Sequence, residues 1–254
     1  MGVTRWLLAG ALVLAAVSPV GATSPDERFD EANDLARAGD YPKAISIYSD
    51  LAAAGEESAS LYWNWAQASI ARGEAGEALW ALLRARELDP GDRAVRRDVE
   101  RLRESLNLDP AEIAPEPLAA AARLARRYRL DLAALLLLGL SLVAHVVARL
   151  RPGARSPVPL GWVALGLGLL ASSAPALGML ARPTATVVRR GAPLLEAASP
   201  SAEAIGSLRE GEVVPILDPS GDWLRIEDAS GARGWAHVAD VRRLDGPPAP
   251  ASVP

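Results

Sequence analysis

Two apolar runs interrupt the polar pattern in the middle of this chain, at about Leu130–Leu150 and Leu160–Ala181. Each is roughly 20 residues, the helix length that crosses a ~30 Å hydrocarbon core. The segment between them, 151–159, is long enough only for a turn, so residues 130–150 and 160–181 are predicted as a two-helix transmembrane hairpin. A third apolar stretch, Trp6–Val17, follows Arg5 and precedes Pro19 and the small residues Val20, Gly21 and Ala22. That is the order of a secretory signal, so residues 1–22 are expected to be a signal peptide cut after Ala22. An uncleaved anchor is the alternative, and both send the next segment out of the cytoplasm.

Residues 25–106 carry the helical period. Helices are predicted at about 26–38, 42–54, 59–72, 76–88 and 93–106, the last a charged helix that caps the array. Gly39-Asp40 and Gly73-Glu74 lie 34 residues apart, and each glycine is followed at the same offsets by Ala44, Ile45 and Tyr48 or by Ala78, Leu79 and Leu82. Glycine permits the tight turn between antiparallel helices, the alanines let paired helices approach, and Pro90 stops the second unit. The segment resembles the tetratricopeptide family, whose period this is. Tyr62, Trp65 and Ala66 match the first helix of the repeat, whereas unit one has Arg28, Glu31 and Ala32 there. Two units and a cap are few for a repeat array, so it is expected to lean on a partner or on the membrane. The resemblance implies peptide or protein binding, with Trp63, Asn64 and Gln67 as candidate groove residues. Packing is the competing explanation for Trp63 and Trp65.

Past Arg182 the period shortens to that of strands separated by Gly, Pro and Ser turns. Strands are expected at Ala185–Val188, Val213–Leu217, Leu224–Glu227 and Gly234–His237. Residues 203–213, the Gly221-Asp222-Trp223-Leu224-Arg225-Ile226 stretch and Gly231-Ala232-Arg233-Gly234-Trp235-Ala236-His237 resemble the bacterial SH3 family. The resemblance covers 183–244 and implies an all-β SH3-like small barrel that binds peptides, cell-wall stems or proteins. Its Asn-Val-Arg opening is weak here, with Val187–Arg190 or Ala192–Leu195 in that place. Trp223 and Trp235 are the surface candidates; packing in the barrel is the competing explanation for both and the expected one for Trp223.

Residues 107–129 read as a Pro-containing linker and a basic juxtamembrane helix with Arg123, Arg126, Arg127 and Arg129, suited to lipid headgroups. Residues 245–254 form a Pro/Ala tail expected to be disordered. Arg149, Arg151 and Arg155 favour a cytoplasmic turn, whereas the arginines before the first crossing favour the reverse. The signal sequence decides for a cytoplasmic turn, with both soluble parts extracytoplasmic. His145 in the first crossing is either a functional intramembrane group or a neutral residue near the interface.

The chain has no cysteine, which removes disulfides, thiolate catalysis and Cys-ligated metals. Its two histidines, His145 and His237, fall in different parts, and the net charge of −4 gives no footprint for nucleic acid. No nucleophile–base set or phosphate loop is legible, so catalytic residues, cofactors and metals are all expected to be none.

Signal sequence, helical repeats, two crossings and a terminal SH3-like barrel, in that order, resemble the BatE-type proteins of bacterial aerotolerance operons. The resemblance implies a multi-domain, two-pass protein of the bacterial inner membrane. It also implies von Willebrand A-type membrane proteins and a MoxR-type ATPase as partners in envelope stress tolerance. The expectation is a non-enzymatic scaffold; a cell-wall sensor or anchor binding peptidoglycan peptides through the barrel is the alternative.

Overall fold

The computed structural model describes residues 24–108, 125, 128–150, 158–178 and 182–245. The expected signal peptide, most of the 107–129 linker with Arg123, Arg126 and Arg127, the turn arginines Arg151 and Arg155, and the tail beyond Asp245 lie outside the described residues.

Five helices form within a residue of the expected spans: α1 Pro25–Arg37, α2 Tyr41–Ala53, α3 Ala59–Arg72, α4 Ala75–Leu88 and α5 Arg93–Ser105. Their starts are written locally. Ser24 and Glu27 close a capping box on α1, and Ser58 and Asp92 accept from the first free N–H groups of α3 and α5. Gly39 and Gly73, the pair 34 apart, both turn with positive φ, +87° and +80°. The helices bury Tyr48, Tyr62, Trp65, Leu79, Trp80 and Leu82 at the centre. Trp65 stacks on Tyr62 at 5.9 Å and meets Trp80 edge-on at 5.1 Å.

Two apolar helices follow, α6 Leu130–Leu150 and α7 Val158–Gly178. They pack antiparallel: a Cβ on Gly161 would meet the His145 ring at 2.7 Å, and one on Gly168 would meet Leu138 at 3.0 Å. His145 fills the gap at Gly161, with Nδ1 2.8 Å from the Ser141 carbonyl and its ring edge-on to Trp162 at 5.3 Å. Helix α6 is long and apolar enough to cross a membrane. Among the described residues it is the one helix that is, and Val158–Ser173 of α7 is a shorter apolar stretch, so the expected two-pass hairpin is not established.

Seven strands complete the chain: β1 Thr184–Val187, β2 Pro193–Leu195, β3 Ala204–Ser207, β4 Val213–Ser220, β5 Trp223–Glu227, β6 Arg233–His237 and β7 Val241–Arg243. They form one antiparallel sheet in the order β3-β2-β6-β5-β4-β1-β7. Four stand close to the expected positions. β2, β3 and β7, three or four residues each, are too short for a periodic signal. Leu194, Leu224, Ile226, Val214 and Ala236 fill the interior.

The helical part and the barrel are not separate arms. Helix α4 lies along β1 and β7, and every residue from Gly76 to Ala85 is buried. The Trp80 indole N–H donates to the Arg243 carbonyl at 2.8 Å, and Arg84 donates to the Leu244 carbonyl at 2.6 Å. The Gly76 N–H donates to Glu210 Oε1 at 2.8 Å. From the barrel, Arg242 reaches Glu77 at 2.8 Å and lies over the rings of Trp80 and Trp65, at 5.0 and 5.6 Å. Gly211 seats its backbone against Leu79, Leu106 and Leu108. The five helices therefore lean on the C-terminal sheet through α4.

The Arg242–Glu77 pair yields a test. Burial pushes the Glu77 carboxyl above its usual range; Arg242, Trp65 and Arg72 favour the anion, and Glu74 opposes it. The folded state thus holds the Glu77 proton more tightly than the unfolded chain. That contribution to stability is full below the ordinary carboxylate range and is lost as pH rises through the raised value. Arg242→Met should cost about 3 kcal/mol in denaturant unfolding at neutral pH by stranding a buried carboxylate. Adding Glu77→Gln should recover most of that loss and flatten the associated pH slope.

Candidate functional site

A groove opens in the helical part, lined from α1, α2 and α3, with a volume of about 530 Å³. Asn33 and Arg37 come from α1, Tyr41 and Tyr48 from the start and middle of α2, and Trp63, Asn64 and Gln67 from α3. Helical spacing places Trp63 and Gln67 one turn apart on one face of α3, with Asn64 beside them.

The groove floor is a preset amide pair. Asn33 Oδ1 accepts from the Tyr48 hydroxyl at 2.8 Å and from Asn64 Nδ2 at 2.8 Å. With those bonds made through Asn33 Oδ1 and Asn64 Nδ2, Asn33 Nδ2 and Asn64 Oδ1 are the remaining donor and acceptor of two residues that line the groove. A peptide bond offers the complementary acceptor and donor. Burial raises the Tyr48 hydroxyl to about 12, so it stays a neutral donor throughout the physiological range. Trp63 closes one side, its indole N–H held by Asp98 of α5 at 2.9 Å. Arg37, at the rim, is drawn to Asp34 at 2.6 Å.

The three helical candidates, Trp63, Asn64 and Gln67, thus come together. Trp65, their alternative, is fully buried packing. Asn33 was missed by the sequence reading, although a signal existed: it lies 34 residues before Gln67, the same position in the preceding unit. Trp235 stands apart on β6. It is half-buried on the outer barrel face, in register with Arg225 on β5 and Leu195 on β2. Gly234 beside it is dictated by packing, since a Cβ there would meet Leu194 and the Leu195 carbonyl at 2.7 Å. Trp223, expected inside, alternates outward with Arg225 and is half-buried, edge-on to His237 at 5.0 Å. Between them, Leu224 and Ile226 take the inward positions.

Among the described residues, no group of three or more His, Asp or Glu is placed to hold a metal ion. Neither curated proteins nor solved structures give a match to this chain. Residues 190–242 match the family model described as the bacterial SH3 domain, and the C-terminal barrel is such a domain, joined here to a helical groove.

Proposed function

We propose that this protein is a non-enzymatic, membrane-anchored scaffold of the bacterial envelope that holds an extended protein segment in its helical groove. The single observation that carries the reading is the oriented Asn33–Asn64 pair, set by Tyr48 to meet a peptide backbone. The tetratricopeptide reading of the helical part draws on the 34-residue register and on the two glycine turns that it places. Docking of helix α4 on the barrel supports a common compartment for both, which requires an even number of crossings between Leu108 and Arg182. Two crossings by α6 and α7 satisfy it: α7, with 21 residues, is about 31 Å long. The extracytoplasmic side, the inner membrane and the aerotolerance setting draw on the signal-like amino terminus and on the BatE-type resemblance. The von Willebrand A-type and MoxR-type partners rest on that resemblance alone.

The bacterial SH3 domain favours a second reading, in which the barrel binds peptidoglycan peptides through its outer face at Trp235. One experiment separates the two. Overlapping peptides from von Willebrand A-type and MoxR-type proteins, and soluble peptidoglycan stem peptides, are titrated against the full chain in detergent. The scaffold reading expects binding to the protein-derived peptides that weakens about tenfold or more in Asn64→Ala and Gln67→Ala and is unchanged in Trp235→Ala. Binding of stem peptides alone, lost in Trp235→Ala, overturns it in favour of the sensor.

A further inference from the structure

The two parts of the body reach the membrane helices by very unequal tethers. Helix α7 is described to Gly178 and the chain again from Arg182, four residue steps that span at most about 14 Å. On the other side, 22 steps separate Leu108 from Leu130. The start of β1 is therefore held near the ~5–8 Å headgroup layer, whereas the 22 steps on the other side set no comparable limit on the distance of the helical part.

Strand direction then orients the whole body. β4 pairs with β1 at Thr184↔Pro215 and continues past the start of β1 to Ser220, so the β4–β5 hairpin extends on the same side as the tether. Pro219 is exposed there, Leu217 lies beside it, and Trp223 stands half-buried at the first position of β5. Helix α4 runs antiparallel to β1. Its start, Gly76, abuts the Val187 and Val188 carbonyls, and Arg84 meets Leu244, whose N–H bonds Thr184. The carboxyl end of α4, with the exposed Leu88, thus points the same way as the hairpin.

We propose that this end of the fused body, Leu217, Pro219 and Trp223 of the barrel with Leu88 of α4, rests on the bilayer surface. The inference relies on the reading of α6 and α7 as crossings. Tryptophan and exposed aliphatic side chains suit the interfacial layer. Arg182, Arg225, Arg243 and Arg86 at this end stand against Asp218, Asp222, Asp245, Glu87 and Asp89, so there is no excess positive charge to demand anionic lipid and a zwitterionic headgroup surface suffices.

The cysteine-free chain makes the test direct. Full-length Leu88→Cys, Pro219→Cys and Ile70→Cys, each carrying one environment-sensitive fluorophore, are reconstituted in phosphatidylcholine vesicles with headgroup-spin-labelled lipid. Ile70 is exposed at the carboxyl end of α3, the far end of the body. The expected result is severalfold stronger quenching at 88 and 219 than at 70. A Leu140→Cys label in α6, read with acyl-chain spin-labelled lipid, reports the crossing separately. Quenching at 140 with equal or reversed quenching at 88, 219 and 70 overturns this inference alone. No quenching at 140 overturns the crossing and the inference with it.

Discussion

Trp80→Ala should destabilise the protein by about 4 kcal/mol, the largest loss expected from any single truncation in the soluble part. The side chain is fully buried. It packs edge-on against Tyr62 at 5.6 Å and Trp65 at 5.1 Å, donates to the Arg243 carbonyl and carries the Arg242 guanidinium on its face. Truncation leaves a cavity between two elements that cannot close over it, an unpaired carbonyl and a buried arginine without its platform. Tryptophan truncations in cores cost about 3–5 kcal/mol, against total domain stabilities of about 5–15 kcal/mol. Urea unfolding in micelles, followed by helical ellipticity, checks the loss. Trp235→Ala, which removes an outward-facing side chain, should stay within about 1 kcal/mol of the parent.

Gly76→Ala should be the second large effect, and its sign is informative. Gly76 lies in the first turn of α4, where helix propensity favours alanine over glycine by up to about 1 kcal/mol. Were the helical part free of the barrel, the substitution would stabilise it. In the docked body the new Cβ would lie 2.7 Å from the Val188 carbonyl oxygen and 2.8 Å from that of Val187. Backbone atoms of a paired strand cannot swing aside as a side chain could. The barrel must move off α4, straining the Arg242–Glu77 and Trp80–Arg243 contacts together. A net loss of about 2 kcal/mol is expected, read by the same denaturation; a gain would indicate undocked parts.

The helices were legible from their apolar period and from the glycines and proline between them, and the structure adds side-chain caps such as Ser58 and Asp92 on α3 and α5. The first apolar helix, α6, was legible from the length of its apolar run; α7 starts two residues before the second run. In the barrel, Gly234 and Trp235 carried the family signal, while β2, β3 and β7 were too short to show a period. The docking interface was the main omission, and its trace lay in the repeat itself. Pro42, Lys43, Ser46 and Asp50 of α2 are all exposed, and the residues 34 positions on are Gly76, Glu77, Trp80 and Arg84. A glycine, a tryptophan and two opposite charges replacing a solvent-facing stripe mark a covered face. Which surface covers it depends on contacts some 160 residues away, such as Trp80 with Arg243, and no local pattern encodes those. In the groove, Asn64 was picked out through the resemblance to the tetratricopeptide family alone. Asn33 and Tyr48 acquire their roles only through mutual hydrogen bonds between three helices.

The central claim is that helical groove and bacterial SH3 domain are one docked body, and the Trp80 indole N–H is its most direct reporter. In a deuterated, tryptophan-labelled full chain in micelles, the account predicts slow solvent exchange of that proton and nuclear Overhauser cross-peaks from it to Arg243 and Leu244 of the barrel. Rapid exchange of the Trp80 indole proton, with no cross-peak to either residue, would contradict it.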